Sequence, residues 1–199
     1  SSSNPQIQKD RTMDPNFMCD ALDDFAVARL EVSSYEPPRL TQDDVDRMIH
    51  LHALWLANDP AGQRVDLKWA DLSGLDLDNA NLTRALLRGC DLSRCILRGA
   101  KLCSADLRQT DLSGADMREA NLGWADMHRA TMHYTDIRGA DMHDVNLRCA
   151  NMSGAAFDHT RLDHAVMRWA IVFGTTFDGA DMRGADMRDV IDAPAVPAV

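Results

Sequence analysis

The sequence predicts an all-β solenoid: a chain wound as a coil of short strand-like sides, with a short α-helical cap at its N-terminal end. Three observations predict it. From Leu67 to Met187 every fifth residue is large and apolar, 25 positions in succession without an insertion. The residue two places earlier is Ala, Cys, Thr or Val in every unit but that of Leu75, and the residue one place earlier is Asp or Asn in 16 of the 25. A five-residue period fits neither a helix at 3.6 nor a strand at 2, so the path must turn once per unit while sending one large and one small side chain inward. Finally, residues 20 apart sort into uniform columns, one reading Lys68, Arg88, Arg108, His128, Arg148, Arg168, Arg188 and the next Ser73, Ser93, Ser113, His133, Ser153, Phe173. Sorting by 15 or 25 mixes Arg, Ser, Asp and Thr, so four units close one coil and the 25 units make about six coils.

The elements follow in chain order. Residues 1–40 are an N-terminal segment, partly disordered or helical. Within it Asp14-Pro15 opens a helix to about Leu30, with Met18, Leu22, Phe25 and Ala26 on one side, and Glu36-Pro37-Pro38 breaks it. Residues 41–62 hold a capping helix with Thr41 as N-cap, Asp43 and Asp44 in the first turn, and Asn58-Asp59-Pro60 as its stop. Its apolar face, Val45, Met48, Ile49, His52, Trp55 and Leu56, lids the first coil, with a groove for a partner as the alternative. Residues 63–190 are the repeat. There an Asp or Asn beside each turn bonds nearby backbone, and glycines such as Gly74 and Gly89 ease turns with unusual dihedrals. Residues 191–199 form a tail whose prolines exclude a helix.

Segments such as ADLSGLDL, TDLSGADMREANL and GADMRGADM resemble the pentapeptide-repeat family across about residues 65–190. The resemblance implies a right-handed quadrilateral β-helix.

Charge and composition narrow the function. With 31 acidic against 21 basic residues the chain carries −10, which argues against direct contact with nucleic-acid phosphates. No apolar run reaches the ~18 residues that span a bilayer, and the N-terminus shows no secretory signal. Five cysteines without a CxxC pair point to reduced thiols and a cytoplasmic setting. A filled interior leaves no reactive group facing inward: Cys90 and Cys95 occupy small inward sites as core filler, Cys103 and Cys149 face outward, and Cys19 precedes the repeat. His128, His133, His143, His159 and His164 fall on outward positions without a zinc spacing, and read as solvated surface histidines. No phosphate loop or nucleophile elbow occurs. The expectation is a non-enzyme with no cofactor and no metal.

Surfaces remain. The column Lys68, Arg88, Arg108, Arg148, Arg168, Arg188 is either a charge lattice neutralised by Asp66, Asp106, Asp126 and Asp186, or a basic stripe that docks an acidic partner. Asp71, Asp91 and Asp111 make an acidic stripe on the next side. Val166, Trp169, Ile171 and Phe173 form an apolar patch expected at the C-terminal end. There self-association to a homodimer competes with coverage by the tail and with an unrelated partner. The function expected is a scaffold that acts through protein contacts. The runner-up comes from the resemblance: some family members mimic duplex DNA, bind DNA gyrase or topoisomerase IV, and confer quinolone-type resistance. Against it, residues 65–190 hold 19 acidic and 15 basic residues, a net of only −4. The helix by which that branch pairs at its C-terminus is also missing, as are its projecting loops. A third reading, in which the segment before residue 40 is a remnant of a larger functional domain carrying the repeat as a targeting rod, is disfavoured because about 40 residues are too few to fold as an independent enzyme.

Overall fold

A computed structural model describes residues 39–192, all within one compact unit, Tyr35–Val199. The helix expected between Asp14 and Leu30, the break at Glu36-Pro37-Pro38 and most of the 191–199 tail lie outside the described residues.

The repeat winds with a period of 20. Parallel bridges join Asp66 to Leu86, Asp71 to Asp91, Asp76 to Ile96 and Asn81 to Lys101, and the same offset continues to Ile171 and Ile191. Each side pairs through a single residue, because a five-residue unit spends two on its turn, so the ladders never lengthen into conventional strands.

A complete account of one unit's backbone donors explains its sequence. In the unit of Leu92, Asp91 N–H donates back to Ala70 O (3.0 Å). Leu92 and Arg94 N–H donate forward to Asp111 O (2.7 Å) and Ser113 O (2.9 Å), and Cys95 N–H closes the turn onto Leu92 O (3.2 Å). Only Ser93 N–H is left, and Asp91 Oδ1 accepts it at 2.9 Å. The same Asx bond, 2.9–3.4 Å, forms at all 16 units with Asp or Asn before the central residue. The acidic richness of the repeat is thus a consequence of one leftover amide per turn.

The fifth residue of every unit, from Trp69 to Asp189, has φ between 54° and 73°, the signs of a type II turn. Only nine of these 25 positions are glycine, so conformational freedom is not what selects glycine at most of them. At Gly89 and Gly154 a second demand appears: the side chains of Trp69 and Tyr134, one coil earlier, lie where a Cβ would stand.

The interior is a column of central side chains from Leu67 to Val172, nearly all fully buried. Polar inner residues are satisfied in one way: Thr110, Thr135 and Thr160 hydroxyls donate to Leu87, Leu112 and Ile137 carbonyls at 2.8–2.9 Å. Cys90 and Cys95 donate likewise to Leu67 O and Leu72 O (2.7 and 3.0 Å). Burial pushes these two thiols up to about 12 and about 11.

Helix α1, Gln42–Leu56, starts on a Thr41–Asp44 capping box and ends at Ala57. Val45 and His52 are buried, and Met48 and Ile49 pack against the core. His52 Nδ1 accepts from Val65 N–H (3.1 Å) and Nε2–H donates to Thr83 O (2.9 Å), which fixes a neutral ring.

Candidate interaction surfaces

The four units of a coil define four sides, carrying residues 66–69, 71–74, 76–79 and 81–84 and their equivalents every 20 residues. Lys68, Arg88, Arg108, Arg148, Arg168 and Arg188 do share one column, on the first side, and their heads are tied down. Arg108 grips Asp106 with Nε and Nη2 (both 2.7 Å) and reaches Asp126 at 3.7 Å; Arg188 holds Asp186 the same way (2.8 and 2.6 Å). Lys68 pairs with Asp66 (2.9 Å) and Arg168 with Asp189 (3.6 Å), while Arg88 donates twice to Gln109 Oε1 (3.2 Å). Arg148 donates to Asn146 Oδ1 at 3.5 Å. Burial raises the Asp106 carboxyl, and the bonds and charge of Arg108 more than reverse this, leaving it below the ordinary carboxylate range. The tightest of these pairs arise within single units: an Asp before the central residue and an Arg after it sit side by side, so the tripeptide Asp-X-Arg is their signature.

That signature locates a second lattice, on the third side, which the column of basic residues did not reveal. Arg98 bridges Asp78 and Asp116 (3.3 and 3.8 Å), Arg118 bridges Asp116 and Asp136 (2.8 and 3.7 Å), and Arg138 pairs with Asp136 (2.7 Å). An open concavity of about 460 Å³ on this side is lined by Asp78, Asn79, Arg98, Gly99, Arg118 and Glu119. Arg118's hydrogen bond holds the Asp116 carboxyl below its ordinary value despite partial burial.

Asp71, Asp91 and Asp111 stand in register on the second side, each with Oδ1 accepting from the serine amide two residues on (2.9 Å). The hydrogen bonds from Ser73 lower the Asp71 carboxyl.

Val166, Trp169, Ile171 and Phe173 lie one coil short of the last described residues. Val166 is bridged on both flanks, by Asn146 and Asp186, and Ile171 by Asn151 and Ile191. Both are half-buried on the sides, Trp169 stacks under Arg168 (4.4 Å), and Phe173 is 45% exposed. The apolar surface at the last described coil is instead Phe177, Met182 and Met187; Phe177 stacks on Phe157 at 5.4 Å and Met187 is 40% exposed. Three further aromatics, Trp69, Trp124 and Tyr134, project from corners at 50%, 60% and 79% exposure.

Two sequence expectations are corrected. His143 is buried rather than solvated, because its ring lies over Gly123 and binds Asp141. Cys149 is disulfide-bonded, so the expectation of uniformly reduced thiols fails there, while Cys90, Cys95 and Cys103 are free. Among the described residues no helix is long and apolar enough to cross a membrane, and no three His, Cys, Asp or Glu side chains converge as a metal cage.

These ladders and turns are those of a repeat solenoid, and the comparison with known families agrees. The pentapeptide-repeat model matches in eight copies over residues 63–99, 95–133, 125–163 and 150–189, well over half of the chain. The protein belongs to the pentapeptide-repeat family, whose fold is a right-handed β-helix. Among solved structures it is similar to QnrB1, a plasmid-mediated fluoroquinolone resistance protein, at 19% identity over 65% of this chain and 75% of that one (TM-score 0.38). It is also similar to a pentapeptide repeat protein of the Arabidopsis thaliana thylakoid lumen, at 28% identity over 61% and 71% (TM-score 0.31). A third, from the cyanobacterium Cyanothece, shares 20% identity over 72% and 97% (TM-score 0.30). No curated protein sequence matches the chain.

Proposed function

We propose that this protein is a non-catalytic, cytoplasmic scaffold: a β-helix of about six coils, capped by the helical segment 41–62, that presents patterned sides to a protein partner. The observation that carries this reading is the self-pairing of its charges. Asp106, Asp116, Asp136 and Asp186 are each spent on an arginine two residues away, which leaves a rigid, nearly neutral lattice rather than groups poised for chemistry. Exposed Trp69, Trp124 and Tyr134 and the arginines between them are the residue types that dominate protein interfaces. The basic column, the acidic stripe Asp71–Asp91–Asp111 and the apolar residues near the C-terminal end are its contact surfaces. Affinity capture with wild type and with Arg88→Glu/Arg148→Glu tests this: a specific partner that the variant loses supports it, and identical capture by both rejects the column as a contact.

A DNA-mimic that binds DNA gyrase or topoisomerase IV is the second reading, favoured by the third side, where seven carboxylates between Asp76 and Asp178 face three arginines. A supercoiling assay with and without a quinolone decides it; neither inhibition nor protection at micromolar protein removes it. Self-association through the last coil predicts a dimer by light scattering that Met182→Glu/Met187→Glu converts to a monomer.

A further inference from the structure

The fourth side changes character halfway along the rod. Its first rows, residues 61–64, 81–84, 101–104 and 121–124, contain no Asp or Glu and carry Arg64, Arg84 and Lys101. From Asp141 onward the same side holds four carboxylates and two arginines, where Arg161 bridges Asp141 and Asp163 (3.4 and 2.6 Å) and Arg183 grips Asp181 (2.6 Å). The three upstream cations have no such partners. Arg64, Arg84 and Lys101 are exposed and form no ion pair among the described residues. Asp59, the acidic residue that precedes the first row, has its Oδ1 committed to the Ala61 amide at 2.8 Å.

The two arginines are gathered instead on an aromatic ring. Arg84 Cζ lies 5.1 Å and Arg64 Cζ 5.6 Å from the centre of the Trp55 ring, and Arg64 Nε–H donates to Arg84 O (2.6 Å). His52 stacks on the same indole at 5.4 Å and adds no negative charge. Lys101 sits one coil on, in the ladder row after Asn81, and Trp124, 60% exposed, stands at the far corner of the acid-free rows. Like charges brought together without counter-ions repel. On a rod whose two lattices tie arginine to aspartate, this face is the exception.

We propose that Arg64, Arg84 and Lys101, flanked by Trp55 and Trp124, are a docking site for an acidic segment of a protein partner. The inference rests on the scaffold reading above and adds to it a side and a partner chemistry. Charge complementarity names the occupant: a partner's carboxylates complete the three unpaired cations and end the repulsion across Trp55. Arginine and tryptophan are also the side chains that concentrate binding energy at protein interfaces. A nucleic acid would meet the same cations, but the chain's net −10 and the carboxylates from Asp141 onward oppose a long phosphate backbone. A short acidic segment fits within the acid-free rows.

The test titrates the full chain with an octaglutamate peptide at low ionic strength and follows amide and indole NMR shifts, which needs no variant to fold. Shifts are expected at Arg84, Lys101 and the Trp124 indole, and they should fade as salt is raised. Arg84→Glu/Lys101→Glu alters two side chains that make no hydrogen bond among the described residues, and is expected to weaken binding roughly 10-fold or more. Arg88→Glu/Arg148→Glu, on the first side, should leave it unchanged. No binding, shifts confined to another side, or an oligothymidylate of equal charge bound here as tightly as octaglutamate overturns the proposal. Loss of binding in the first-side variant alone also overturns it, while leaving the scaffold reading standing.

Discussion

The two ends of the coil solve the same problem unequally. The first coil exposes carbonyls and amides that the ladder cannot pair, and the helical segment covers them one by one. Leu40 N–H donates to Asp71 O (3.1 Å), and the Gln42 side-chain amide takes both the N–H and O of Asp76 (3.0 and 2.7 Å). His52 binds Thr83 O, and Arg64 Nε binds Arg84 O (2.6 Å). At the last described coil the ladder rule aims the amides of Phe177, Met182 and Met187 forward, and no described residue accepts them. Side chains follow the same contrast, with Leu77 only 2% exposed and Met187 40%. An edge of β-structure invites pairing, and among the described residues the N-terminal end is the one whose backbone groups meet matching side chains.

The largest expected effect is in the sealed end's core. Leu77→Ala should cost about 2–5 kcal/mol in urea denaturation, whereas Met187→Ala should cost under ~1 kcal/mol; equal costs would mean the last coil is as covered as the first. Next comes His52→Ala, which strands Val65 N–H and Thr83 O and opens a cavity, for a loss of about 2–4 kcal/mol.

The same histidine gives the helix end a pH dependence. Burial, with the charge of Arg64, holds its pKa below the ordinary 6.5 against the opposing pull of the Thr83 carbonyl. The unfolded chain binds a proton that the folded chain resists, so stability is full above about 6.5 and falls as pH drops toward the lower folded value. Melting temperatures measured from pH 7.5 to 5.5 should decline in wild type and less steeply in His52→Gln. A further small effect is Gln42→Ala, about 1 kcal/mol, detected as faster amide exchange at Asp76.

The period, the coil length and the role of the aspartates were legible in the sequence because each is stated 16 to 25 times over. What was said once was not. His52 is a single histidine on an apolar helix face, and nothing local announces that its two nitrogens close a β-edge. His143 looked solvated because its position in the unit points outward; it is buried only because residue 123, one coil away, is glycine. The corner conformation was hidden by residues such as Trp124 and Tyr134, which adopt a positive φ that side chains usually avoid.

The fixed 20-residue offset makes the molecule a lattice with a screw rule. Inserting 20 residues would lengthen the rod and leave every side chain facing as before. Inserting five would keep the core intact, since all units are interchangeable inside, yet rotate everything downstream by a quarter turn. The arginine ladder of the first side would then continue on the second, beside the carboxylates of Asp71 and Asp91. Evolution can thus rewrite which faces align along this rod by copying a single pentapeptide, without touching the packing that holds it together.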